Sequence, residues 1–170
     1  MTKRLDKGKH WFNEVYGEGK ADGLIEMQTG LAQDLARFGI EFNFGDIYSR
    51  PGLSLAQREL LSLASLVTLG GLEPQLRGHT RGALRVGCTP TEIIETVIHT
   101  VQYCGFPRAL NAMGVITDEL TEQGAEIPPA IGPDGPIAGN VTPDVTLPAQ
   151  APGGRPEGSV APSIVLPARR

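Results

Sequence analysis

The chain holds 170 residues, enough for one domain with a buried core. Hydrophobic residues make up 40% of it and aromatic ones only 5%, so that core has to be aliphatic. A formal charge of −4 leaves no electrostatic footprint for nucleic acid.

The N-terminal stretch MTKRLDKGKHWFNEVYG lacks the apolar run of a signal peptide. Its basic cluster Lys3, Arg4, Lys7 and Lys9 reads as a solvated terminus. A first helix is predicted over about 22–38, with Leu24, Met27, Leu31 and Leu35 at helical spacing. Ser54 and Gln57 form a capping box that opens a second helix through Leu69, where Gly70 and Gly71 stop it. The longest apolar-looking run, 60–72, contains Ser, Thr and two glycines and is too short to span a bilayer. Glu73 and Pro74 start a third helix that ends at Gly87. Thr89 and Glu92 make a second capping box, with Pro90 at the first helical position. That helix runs to about Tyr103, and Gly105, Phe106 and Pro107 end it. The last begins near Pro107 and stops at Gly124. Strand signals are nearly absent. Residues 1–124 are therefore expected to form an all-α domain, a small antiparallel bundle with short connections.

Composition changes sharply near Gly124. Residues 125–170 hold ten of the fourteen prolines, a density that forbids regular hydrogen-bond ladders. Short apolar groups still recur there, Ile131, Ile137, Val141 and Ile164 among them. The segment is read either as an extended disordered tail or as an ordered arm lying across its own subunit or a neighbour. Cys88 and Cys104 are too far apart for a C-x-x-C pair and read as buried free thiols in a reducing cytoplasm.

Candidate chemistry gathers on three of the predicted helices. Glu95, His99 and Tyr103 follow one another at intervals of four and share a face. The preceding helix carries His79 and Arg81, with Arg77 and Arg85 one turn to either side of Arg81. The helix before that carries Arg58 and Glu59 at the start of the apolar run LLSLASLVTL. Each has an ordinary alternative: a satisfied core histidine, a solvated basic stripe, a simple i,i+4 pair. Two histidines and a carboxylate (His79, His99 and Glu95) can hold a metal, but no H-E-x-x-H signature supports it. No G-x-S-x-G elbow points to a hydrolase. Spacing alone leaves the function open.

Several anchors recur in order over 44–112: R-P-G-L at 50–53, E-P-Q-L-R-G-H-T-R-G-A-L at 73–84, G-C-T-P-T-E-I at 87–93 and H-T-V-Q-Y-C-G-F-P-R-A at 99–109. Together they resemble the carboxymuconolactone decarboxylase family, within the alkylhydroperoxidase D-like superfamily. Dithiol peroxidases of that superfamily need C-x-x-C followed three residues later by His. Counting back from His79, the two thiol positions hold Leu72 and Gln75, so that chemistry is excluded. The chain departs from the decarboxylase pattern at Tyr48, where Trp is frequent, at Glu59, where Ser is frequent, and at Cys104, where a small Ala is usual. Those departures leave room for a relative acting on another lactone or β-keto acid in a biosynthetic pathway. A non-catalytic binding protein of the same fold is a further alternative, against which the motif context of both histidines and Arg81 speaks.

The resemblance implies loss of CO₂ from 4-carboxymuconolactone to give 3-oxoadipate enol-lactone, part of aromatic compound catabolism. The lactone carbonyl takes up the electrons through the ring double bond, so no cofactor and no metal is expected. The protein must bind a dianion, stabilise the lactone oxygen and return a proton to ring carbon. Arginine suits the first task because its fork pairs with carboxylates; Arg81 leads, Arg50 follows, and Tyr103 is a further substrate-binding candidate. His79 and His99 are expected to divide the other two tasks, in an order the sequence does not assign. Glu95 would hold the His99 tautomer, and Glu59 is a second acid or orienter. The resemblance further implies a homo-oligomer, a trimer or hexamer with sites near subunit contacts, and neither a nucleic-acid nor a membrane partner.

Overall fold

A computed structural model describes residues 2–131; most of the proline-rich 125–170 segment, with both readings of it, lies outside the described residues. The described chain is all-α, with no strand. Its α-helices are α1 (Lys3–Tyr16), α2 (Lys20–Glu26), α3 (Ala32–Gly39), α4 (Leu55–Leu69), α5 (Glu73–Arg85), α6 (Pro90–Cys104) and α7 (Phe106–Glu122). A π-helix, Ile40–Tyr48, follows α3 directly. None of these helices is long and apolar enough to cross a membrane.

The main core lies between α4, α5, α6 and α7, where α4 and α7 each pack on both α5 and α6. Leu63, Val67, Leu76, Ile93, Val97, Ile116 and Leu120 fill it, and no aromatic ring takes part. The capping boxes form as the sequence predicts. Ser54 Oγ accepts from the Gln57 backbone and Thr89 Oγ1 from that of Glu92, while each partner side chain reaches back. Gly70 and Gly105, at φ 73° and 77°, end α4 and α6.

The N-terminal half departs from expectation. The stretch around Lys3 to Lys9 is solvated on one side, but it forms α1, whose other side buries Leu5, Gly8 and Val15. The single helix expected over 22–38 is two helices, because Gly30 adopts a left-handed φ of 56° between them. Leu24 is half-buried, whereas Met27, Leu31 and Leu35 stand 75% or more exposed.

Helix α1 packs against the π-helix. The i→i+5 hydrogen bonds of a π-helix widen the turn, and Ile40, Phe44 and Tyr48, four residues apart, all point inward. Phe44 then meets Phe12 at 4.8 Å and Tyr48 at 4.5 Å between ring centroids, joining the two helices by aromatic edges. The approach depends on Gly8, where an added Cβ would lie 2.5 Å from the Ile40 carbonyl oxygen. Gly8→Ala gains about 1 kcal/mol of helix propensity, but overpacking against backbone costs about 1–3 kcal/mol. We expect a net loss of stability, read as a lower urea midpoint.

Candidate active site

Helix α4 carries one charged pair into the protein. Arg58 is 9% exposed and Glu59 fully buried. A carboxylate without water must find donors, and Glu59 has two. Tyr48 donates its hydroxyl to Oε1 at 2.7 Å, and His79 Nδ1 stands 2.8 Å from Oε2. Ser62, one turn along α4 from Arg58, lies 2.9 Å from the Tyr48 hydroxyl. The Tyr16 hydroxyl also approaches the imidazole edge, 3.1 Å from Nδ1 and 3.5 Å from Nε2. Four elements thus meet in one hydrogen-bonded chain: Ser62, Tyr48, Glu59, His79 and Tyr16.

Gly82 makes this meeting possible. A Cβ there would fall 2.9 Å from both Glu59 Oε2 and Val15 Cγ1 and 3.0 Å from the Tyr16 ring. Any larger residue in α5 would push α1 away from the carboxylate.

An ionised carboxylate only accepts, so its contact with His79 calls for a hydrogen on Nδ1. With the Nδ1 hydrogen donated to a Glu59 oxygen, Nε2 is the ring nitrogen left to exchange a proton. Burial first, and then the neighbouring Glu59, raise both phenols well above the ordinary tyrosine value. Tyr16 and Tyr48 are therefore O–H donors at neutral pH, not phenolates. The open cavity beside them has a volume of about 930 Å³ and mostly apolar walls, with His79, Tyr16, Tyr48, Ser62, Arg58 and Arg81 among its polar members, beside Asn43, Ser65 and Gln75.

Of the sequence candidates, Glu59, His79 and Arg81 line or underlie this cavity, and Glu59 pairs with His79 rather than acting apart. Arg81 is already engaged: its Nη1 donates to the buried Glu119 at 2.9 Å, and Arg77 donates to the same carboxylate at 3.2 Å. Burial alone would raise the Glu119 carboxyl, yet those hydrogen bonds hold it below the ordinary carboxylate range. Arg50 is exposed and outside the cavity; its carbonyl accepts from Arg58 Nη2 at 2.9 Å. Glu95, His99 and Tyr103 lie exposed along α6 and do not line the cavity. The ring nitrogen of His99 is met by Gln102 at 3.2 Å, and its ring by that of Tyr103, so no bond from Glu95 holds its tautomer. The chain does not itself bring His79 and His99 together. Nor does it assemble the alternative metal triad, and among the described residues no group of three or more His, Cys, Asp and Glu is placed to hold a metal.

Tyr16, Tyr48 and Ser62 enter the site without having been singled out as site residues from sequence. Tyr48 had a trace, as a departure from the family pattern; Tyr16 lies 63 positions from its histidine partner and had none. Cys88 is buried, with its Sγ 3.5 Å from the Ala56 carbonyl oxygen. Burial, followed by Glu92 and Glu59, pushes its thiol up to about 11, which disfavours the thiolate at neutral pH.

The carboxymuconolactone decarboxylase family model matches residues 33–118, half of the chain. The 4-carboxymuconolactone decarboxylase of Acinetobacter baylyi is 32% identical over 122 residues, which cover 72% of this chain and 90% of that protein. The nitrosuccinic acid decarboxylase npaB of Metarhizium robertsii is 34% identical over 124 residues, 72% of this chain and 85% of that one. Matched along a stretch that includes the π-helix, α4 and α5, three of the elements that line the cavity, this chain belongs to the carboxymuconolactone decarboxylase family.

Proposed function

We propose that the protein is a cofactor-independent decarboxylase of a carboxylated lactone such as 4-carboxymuconolactone, with His79 as proton donor and Glu59 as its orienting partner. The observation that carries this reading is the buried Glu59 carboxylate, 2.8 Å from His79 Nδ1, behind an apolar-walled cavity. In the reaction the bond from ring carbon to carboxylate breaks and CO₂ leaves. The electron pair moves through the ring double bond onto the lactone carbonyl oxygen, giving a dienolate. Nε2 of protonated His79 delivers one proton to ring carbon, and solvent restores it. Glu59 stabilises the imidazolium before transfer and holds its tautomer. The Tyr16 hydroxyl, beside His79, is the candidate donor to the developing oxyanion, a contact worth about 3 kcal/mol where it is preorganised.

The two named relatives support a substrate class more firmly than a single substrate. Carboxymuconolactone and nitrosuccinic acid both place a carboxylate where a neighbouring group accepts electrons, a conjugated lactone in one and a nitro group in the other. A different lactone acid or a β-keto acid fits the same logic and is the second reading. Purified protein mixed with 4-carboxymuconolactone, with no added metal or cofactor, is expected to change the ultraviolet absorbance of the lactone and release one CO₂ per turnover. Absence of both would turn the search to other activated acids.

A homo-oligomer, trimer or hexamer, belongs to the same proposal. Met27, Leu31, Leu35, Phe38 and Phe42 are all exposed on α3 and its flanks, and apolar residues exposed in such a series mark a surface that a partner copy can cover. Light scattering at micromolar concentration should give a multiple of 18.1 kDa. Leu35→Glu with Phe38→Glu should reduce that mass to a single chain. Aromatic catabolism in the cytoplasm is the setting this reading suggests.

A further inference from the structure

Arg58 is the charged group in the site that has no counter-ion. It is 9% exposed, and among the described residues no carboxylate comes within ion-pair distance of it. Its Nη2 is tethered to the Arg50 carbonyl at 2.9 Å, and its guanidinium lies 5.9 Å from the Tyr48 ring centroid. Its Nε is buried with no hydrogen-bond partner. A guanidinium removed from water normally fills its donors and faces an anion, because an uncompensated buried charge is strongly destabilising. The neighbouring Glu59 does not supply that anion, since its two oxygens are taken by Tyr48 and His79.

The other arginines of the region differ on this point. Arg81 lines the same cavity but is neutralised by Glu119 at 2.9 Å, and Arg50 is exposed outside it. Among the described residues, only Arg58 combines a place in the cavity wall with a vacant buried donor. We propose that Arg58 is the receptor for the carboxylate that the substrate keeps, holding a dianion so that its second carboxylate reacts beside His79. The role of the second carboxylate rests on the decarboxylase reading; recognition of a dicarboxylate by Arg58 does not. The tether at Nη2 and the Tyr48 face hold the guanidinium in position, which favours a fork of two parallel bonds over a loose point contact.

The test uses succinate, a dianion with no electron-accepting group, and succinamate, which carries one carboxylate. In full-length protein labelled with ¹⁵N at arginine Nε, the Arg58 Nε–H resonance is identified by its loss in Arg58→Lys. Succinate at saturation should move that resonance downfield. Wild type should bind succinate at least tenfold more tightly than succinamate by calorimetry, and Arg58→Lys should remove most of that difference. Arg81→Gln should have the smaller effect. An Arg58 resonance that stays still, as it would if water filled the site, overturns the assignment. So does failure of wild type to bind succinate, or a larger loss in Arg81→Gln. Because none of this needs turnover, a succinate-responsive Arg58 in a protein that decarboxylates no lactone acid would retain the receptor and discard the reaction. Decarboxylation with an unchanged KM in Arg58→Lys would do the reverse.

Discussion

Replacing His79 by alanine should lower kcat on the lactone acid by roughly 10²–10⁴-fold, the usual weight of a positioned general acid. The side chain is half-buried at the cavity wall and held at Nδ1 by Glu59, with the Tyr16 hydroxyl beside the ring, so its loss removes a proton donor without opening the aliphatic core. The α-helical circular dichroism and the main unfolding transition should therefore persist. The change should appear in kcat more than in KM, because the proton is transferred only after CO₂ departs. Added imidazole, small enough for the vacated space, should restore part of the rate. His99→Ala is the comparison that decides between the two histidines. His99 is exposed on α6 and absent from the cavity wall, and its replacement should cost at least tenfold less than that of His79. If the two losses are equal, His99 must reach a cavity in a neighbouring subunit, and light scattering of the Leu35→Glu, Phe38→Glu double variant with its activity would show it.

What could be read from the chain follows the range of the interactions involved. Both capping boxes and the glycine stops were legible because each is settled within four residues. The aliphatic core followed from the scarcity of aromatic residues and the apolar spacing of α4, α6 and α7. Helix α1 was not legible: its buried side is only Leu5, Gly8 and Val15, and its main partner, the π-helix, begins more than twenty residues later. Local spacing also does not distinguish a π-helix, and it carried the predicted helix straight through Gly30. In the site, Glu59 and Arg58 were visible as charges at the start of an apolar run, a pattern that burial without partners would not tolerate. Arg81 shows the limit of that signal. A cation in a family motif suggests an anionic ligand, and Arg81 does line the cavity, but it also pairs with Glu119, 38 residues away along the chain. Glu95, His99 and Tyr103 share a helical face as predicted, and that face is turned to solvent.

Glu59→Gln should reduce kcat by roughly 10²–10⁴-fold, the range seen when the acid that fixes a catalytic imidazole is made neutral. Glutamine fills the same space and leaves no cavity. However, one end of its amide is a donor where both carboxylate oxygens now accept, from Tyr48 at 2.7 Å and from His79 at 2.8 Å. Tyr48 can adapt, because its hydroxyl can turn toward Ser62 Oγ, 2.9 Å away, and accept from the amide instead. The histidine cannot gain in the same way: either it keeps its tautomer and loses the negative charge that stabilises the imidazolium, or it reverses the tautomer and blocks Nε2. Stability should therefore change little while turnover falls. Glu59→Ala should behave differently, since it leaves a cavity and removes the acceptor of the His79 N–H, at about 1–3 kcal/mol, and so lowers the urea midpoint as well. The double variant Glu59→Gln, His79→Ala then separates a shared function from two independent ones. If the carboxylate acts only through the imidazole, the double variant should be no slower than His79→Ala alone, because groups that work as a unit are non-additive. A further fall of tenfold or more in the double variant would mean that Glu59 meets the substrate itself, and the proton route would have to be redrawn through the carboxylate.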